Sequence, residues 1–192
     1  MPDAGRVIGG TARGVRLEAP GPGTRPLTDR VKESIFGALE AAGALDGPFL
    51  DLFAGSGAAG IEALSRGAPA ATLVERDGKT CAVIGNNLRR AQLSGGIVVR
   101  ADVTTYLRDA HPAAAESFTA VVLDPPYGEP ALLVRTLTSL ADASHGWLPA
   151  EAIVVAKHFW RDELPEQLGD LRRTRQKRFG ETMITFYTRD SA

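Results

Sequence analysis

The chain has 192 residues, 44% of them hydrophobic and 23% charged, enough for one domain that buries roughly 70% of the surface its unfolded chain exposes. Its 22 Lys+Arg against 23 Asp+Glu leave a formal net charge of −1, which excludes a strongly basic nucleic-acid binder as a description of the whole chain. The single cysteine, Cys81, excludes an internal disulfide and a zinc-cysteine cluster, and there is neither a secretory segment nor an apolar run of about 20 residues; a reducing cytoplasm, no membrane and no metal are expected.

Residues 6–18 are basic and punctuated by glycine, and short strands around Val7-Ile8 and Val15-Leu17 are expected to pair as a hairpin. Arg6, Arg13, Arg16, Arg25, Arg30 and Lys32 form a first basic cluster. Thr28 or Asp29 caps a helix with Val31, Ile35, Phe36 and Leu39 on its apolar face, and Gly43 ends it. From Pro48 onward the pattern becomes strand–helix alternation. Strands are expected at 49–53, 71–74, 97–99, 120–123 and 152–155, with helices after the first and from about Lys79 to Leu93. Runs this apolar are buried on both faces of a parallel sheet. Leu171 to Phe179 and Thr182 to Tyr187, joined by Gly180-Glu181, fit a hairpin with a type II′ turn. The first of these strands carries a second basic cluster, Arg172, Arg173, Arg175, Lys177 and Arg178, which either tracks phosphates or is a solvated face.

Two segments carry chemistry. The first is Gly55-Ser-Gly57-Ala-Ala-Gly60, between a strand and a helix. Glycine there allows a ligand to approach the backbone, but the spelling alone also suits a dinucleotide. Asp51, at the strand end, argues against a pyrophosphate and for a cationic ligand; S-adenosylmethionine carries a sulfonium and an ammonium. Asp51, Phe53, Gly55 and Gly57 are therefore read as donor-binding. Glu75, ending the next strand, suits the ribose hydroxyls. Asp102 suits the adenine amino group, with Val103 beside the ring. The alternative for Asp51 and Asp102 is a helix cap.

The second segment, Asp124-Pro125-Pro126-Tyr127, ends the fourth strand. An amino group on a nucleic-acid base is a weak nucleophile, because its lone pair is delocalised into the ring. Hydrogen bonds from it to the Asp124 carboxylate and the Pro125 carbonyl favour a pyramidal nitrogen and stabilise the charge that grows on methylation. Tyr127 stacks on the base, a contact worth roughly 1–3 kcal/mol. Either Asp124 or solvent takes the proton. An adenine-N6 methyltransferase, a nicotinamide oxidoreductase resting on the glycines alone, and a non-catalytic RNA-binding assembly factor are the competing readings.

Five segments resemble the bacterial small-subunit ribosomal RNA guanine-N2 methyltransferases, the RsmD-type family. They are Arg6-Val-Ile-Gly-Gly, Arg25-Pro-Leu-Thr-Asp-Arg-Val-Lys-Glu-Ser-Ile-Phe36, Asp51 to Gly60, Asp124 to Tyr127, and Lys177-Arg-Phe-Gly-Glu-Thr182. The resemblance implies methylation of one guanine N2 in 16S rRNA, conventionally guanine 966, within an assembled or partly assembled small subunit. It implies that Arg25, Asp29 and Arg30 lie on the substrate side, the alternative being that Asp29 and Arg30 only cap and brace a helix; Pro126 of the second segment is also placed on the substrate side. Two positions depart from the family pattern. Leu27 replaces a threonine, and Ala156-Lys157-His158 stands where an acidic residue follows the fifth strand. His158 is read as structural. The expected fold is α/β: a class I, Rossmann-like methyltransferase with a mostly parallel seven-stranded sheet, an antiparallel C-terminal hairpin and helices on both faces. Residues 1–24 are expected to form a basic hairpin extension and 25–192 the S-adenosylmethionine-dependent domain. A monomer is the default, since no apolar surface helix demands a partner.

Overall fold

The computed structural model describes residues 3–21, 27–109 and 117–190. Arg25 and most of the alanine-rich loop after His111 lie outside them. The chain opens with β1 (Asp3–Arg6) and β2 (Arg16–Glu18), an antiparallel pair separate from the main sheet. The first of these strands ends before Val7-Ile8, the expected position. The pairing does continue inward, since Val7 N–H donates to the Val15 carbonyl at 2.9 Å and Gly14 N–H to the Val7 carbonyl at 2.8 Å. Beyond that point a carboxylate takes over: the N–H groups of Ile8 and Gly9 donate to Glu62 at 2.9 and 2.8 Å.

Helix α1 (Asp29–Ala41) starts at Thr28, whose hydroxyl accepts from the Val31 N–H, and buries Val31, Ile35, Phe36 and Leu39 as the periodicity predicts. Gly43, with φ +67°, turns the chain away from it. The main sheet then builds from β3 (Phe49–Leu52), β4 (Ala71–Glu75), β5 (Gly96–Arg100), β6 (Ala120–Leu123), β7 (Ile153–Phe159), β8 (Gln167–Leu168), β9 (Leu171–Phe179) and β10 (Thr182–Arg189). Across the sheet the order is β5, β4, β3, β6, β7, β10, β9, β8. The first five are mutually parallel, and the pairings β7–β10, β10–β9 and β9–β8 are each antiparallel. The expected seven strands are all in this sheet, and two-residue β8 adds to its edge. The positive φ of the hairpin turn falls on Gly180, at +60°.

Helices α2 (Ala58–Ser65) and α3 (Gly78–Ala91) join α1 and the β1–β2 hairpin on one face, where Ile35, Phe36, Ile61 and Ile84 pack with Phe49, Leu73 and Val122. Helices α4 (Val103–Asp109) and α5 (Pro130–Ala141) cover the other, where Leu107, Leu133 and Leu137 pack with Leu50, Leu52, Val121 and Leu123. Neither α4 nor α5 is among the elements expected from the sequence. Pro130 opens α5, a position where its missing N–H costs nothing. Consecutive strand residues feed opposite layers, which is why β6 reads as an unbroken apolar run and β3 as one interrupted only by Asp51. Strand β3 is followed outward by β4 and β5, and the chain then crosses back to place β6 on its other side. That reversal opens a crevice at the C-terminal ends of β3 and β6, where open α/β sheets bind ligands.

Candidate active site

A cavity of about 730 Å³ occupies this crevice. On one side it is walled by the turn after β3. Phe53 holds φ +64°, a left-handed conformation that costs a residue with a Cβ about 1–3 kcal/mol. Gly55 has φ +55°, and a Cβ there would meet nothing closer than 3.9 Å, so its open side faces the cavity that it lines. Gly57 and Gly60 serve packing instead. A Cβ at Gly57 would come within 2.9 Å of Ile84, and one at Gly60 within 2.6 Å of Leu73. Gly57 is not among the described lining residues.

Asp51 is buried, and one of its oxygens accepts from the Gly60 N–H inside α2 at 2.8 Å. It therefore braces the helix start while lining the cavity. Burial pushes its carboxyl well above the ordinary value of 3.8, with Asp124 and Glu75 pushing the same way. Glu75 spans two loops, accepting from Gly55 N–H at 3.1 Å and Asp77 N–H at 2.9 Å. Asp102 caps α4: one oxygen takes Thr104 N–H, Thr104 Oγ1 and Thr105 N–H, and these bonds hold its carboxyl below the usual range. Val103, buried at the start of α4, lines the cavity beside it.

The opposite wall is the loop after β6. Asp124 N–H donates to the Leu52 carbonyl at 3.2 Å, tying the ends of β6 and β3 together. Pro125 is buried; Pro126 is exposed at the rim, as is Tyr127, whose hydroxyl lies 3.0 Å from Thr182 Oγ1. The residue that sequence reasoning missed is Lys157. Its ammonium sits 2.5 Å from Asp124 Oδ1 and 4.9 Å from the centre of the Tyr127 ring. Strand β7 runs four residues beyond its expected end, because β10 pairs with it as far as Phe159 opposite Thr182. The strand period then puts Lys157 and Phe159 on the cavity side and His158 on the other face. His158 is buried, its ring bonded to Thr185 Oγ1 at 2.8 Å and to the Phe159 carbonyl, in line with its structural reading.

Among the described residues, six carboxylates line the cavity (Asp51, Glu75, Asp102, Asp124, Asp162 and Glu181) against two cations, Arg76 and Lys157. This composition suits a ligand with cationic groups and disfavours a pyrophosphate. Asp29 and Arg30 are not among the described lining residues. Asp29 instead pairs with Arg6 at 3.1 Å, and Arg30 is exposed on α1. Ala4, Pro20 and Leu27 bring the N-terminal segment to the rim.

A family model described as "Conserved hypothetical protein 95" matches residues 5–188. The chain belongs to this family, which is the RsmD-type family of the sequence motifs. Among its relatives, the Bacillus subtilis protein named "Putative rRNA methyltransferase YlbH" is 41% identical over 95% of this chain and 97% of its own. Ribosomal RNA small subunit methyltransferase D of Escherichia coli is 36% identical over 97% of this chain and 90% of its own. An RNA methyltransferase from Salinibacter ruber, solved in complex with S-adenosyl-L-homocysteine, shares the fold with a TM-score of 0.64 at 19% identity, covering 88% of this chain and 95% of that one.

Proposed function

We propose that this protein transfers a methyl group from S-adenosylmethionine to the exocyclic N2 of one guanine in 16S rRNA, within an assembled or partly assembled small ribosomal subunit. The observation that carries this reading is the meeting, across one crevice, of an acidic wall built by Asp51, Glu75 and Asp102 with the Asp124-Pro125-Pro126-Tyr127 loop. The naming of the E. coli relative for the small-subunit RNA supports the substrate class.

When bound, S-adenosylmethionine supplies a methyl group already activated on a sulfonium. Glu75 is suited to accept from the ribose hydroxyls, and the carboxylates of the wall favour the cationic amino-acid end. The Asp124 carboxylate and the Pro125 carbonyl accept the two N–H groups of the target amine. Tyr127 gives the base a stacking surface. With the donor held there, the base nitrogen would take the methyl group as its bond to sulfur broke, and Asp124 or solvent would take the surplus proton. Most of the acceleration comes from alignment and from carboxylate placed where positive charge grows. A base amine seated between Asp124 and Tyr127 inside a crevice requires a base extruded from its stack.

The test is to incubate the protein with labelled S-adenosylmethionine and small subunits lacking the modification, beside naked rRNA and DNA, and to identify the labelled nucleoside. N2-methylguanosine from subunits is the expected product. N6-methyladenine would keep the site and overturn the base assignment. A protein that binds NAD in preference to S-adenosylhomocysteine would overturn the donor.

A further inference from the structure

Lys157 has no part in the mechanism above, yet it is placed as if it had one. Its side chain is 7% exposed, and it reaches the cavity from β7, on the far side of Asp124 from the donor wall. An ammonium has three donors, and the described structure gives this one a single hydrogen bond, to Asp124, together with the face of Tyr127. Isolating an ion in this way is expensive unless its partner needs it.

We propose that Lys157 is a positioning residue for the transfer: it holds Asp124 ionised and fixed through one carboxylate oxygen, so that the other oxygen is presented to the target amine. This rests on the methyltransferase reading above. The need for such a residue follows from the surroundings. Asp51 on β3, Glu75 at the end of β4 and Asp102 before α4 face the same space, as do Asp162 and Glu181 beyond β7 and in the β9–β10 turn. Arg76 is the other cation of the described lining, and the Tyr127 phenol is held at Thr182. Burial raises the Asp124 carboxyl above its ordinary value, and the charge and hydrogen bond of Lys157 oppose that rise. Protonated Asp124 would present an O–H where the amine needs an acceptor. The ammonium over the Tyr127 ring also steadies the surface on which the base stacks.

The experiment compares the parent protein with Lys157→Arg and Lys157→Met. It measures kcat and KM across pH and titrates the Asp124 carboxyl carbon by NMR without substrate. Removing an opposite charge raises a carboxyl pKa by about 1–3 units, and transfer needs the ionised form. The acidic limb of kcat should therefore move to higher pH by that amount in Lys157→Met, with the same shift in the NMR titration and the KM for donor within twofold. Lys157→Arg should stay near the parent. An unmoved Asp124 titration, or an equal loss of kcat at every pH in both variants, would overturn the proposal. If Lys157→Met does not fold, Lys157→Gln carries the same comparison. Should the parent transfer no methyl group, the functional reading fails, while the NMR titration still decides whether Lys157 sets the charge of Asp124.

Discussion

Among the described residues, two buried lysines are paired with carboxylates, and the pairs are built differently. Lys32 and Glu62 are both fully enclosed between α1 and α2. Glu62 accepts the N–H groups of Ile8 and Gly9 and the Nε–H of Arg66, all within 2.9 Å, while Lys32 donates to the Arg6 carbonyl and lies 3.9 Å from both Glu62 and Asp29. Burial pushes the Lys32 ammonium pKa down, and the two carboxylates push it back up. This network staples the N-terminal segment to the domain. Ser65 completes it, its Oγ donating to the Gly9 carbonyl at 2.6 Å and accepting from the Ala12 N–H at 2.9 Å. Gly10 packs so closely that a Cβ would overlap the Ser65 carbonyl. The Asp124–Lys157 pair has one hydrogen bond between its members and opens onto the cavity. A buried carboxylate filled as Glu62 is, by two backbone N–H groups and Arg66, is architecture; a carboxylate such as Asp124, with one such bond and a crevice in front of it, is available for chemistry.

The contrast can be broken by substitution, and the largest effect is expected on stability. Glu62→Ala leaves two part-buried N–H groups and the buried Lys32 without their carboxylate, and breaking such a buried pair costs about 3–5 kcal/mol. Urea unfolding should show it, with Glu40→Ala, on the exposed partner of Arg66, losing less than about 1 kcal/mol. Equal stability of the two variants would show that the enclosed pair is not a staple. Asp124→Asn comes next, with kcat lowered about 100- to 1,000-fold and a smaller loss of stability than Glu62→Ala, because the Asn carbonyl still accepts from Lys157 and the pair opens onto the cavity. Loss of donor binding instead would move Asp124 to the other wall. Glu75→Gln should weaken S-adenosylhomocysteine binding about tenfold in calorimetry, the equivalent of one good hydrogen bond. Unchanged affinity rejects the ribose role.

The smallest effect is expected on β9. Arg172 pairs with Asp190 and Arg173 with Glu166, whereas Arg175 and Lys177 lie over the rings of Phe186 and Phe179. Replacing Arg175 and Lys177 by Gln should make the salt dependence of particle binding shallower, by about 0.7–0.9 in log–log slope for each phosphate no longer neutralised. The same change at Arg172 and Arg173 should leave the slope alone. A slope that ignores all four returns the cluster to solvated surface.

Legibility in the sequence followed distance along the chain. The turn from Asp51 to Gly60 could be read because its parts are neighbours: the carboxylate and the N–H it binds are nine residues apart. The two roles of an acid after a strand, cap or ligand, look identical in letters. The structure shows Asp102 capping α4 and Asp51 bracing α2, both at the cavity wall. Asp29 and Arg30 stand out in a family-specific segment, but Asp29 is turned toward Arg6. Lys157 looks like a departure from pattern at a strand end. No local period shows that β10 extends β7 past that point.

The sequence by itself determined the strand–helix alternation, the apolar faces, the glycine turn and the Asp124 loop, because these depend on short-range periodicity and on backbone geometry that Gly and Pro impose. Only the tertiary structure decided which ions meet. Lys157 reaches Asp124 across 33 residues because the sheet order sets β7 beside β6, and β10 holds β7 extended to the crevice. Glu62 finds the N-terminal backbone because α2 packs against α1. Such encounters are fixed by the packing of layers, a property of the whole chain that no segment carries alone.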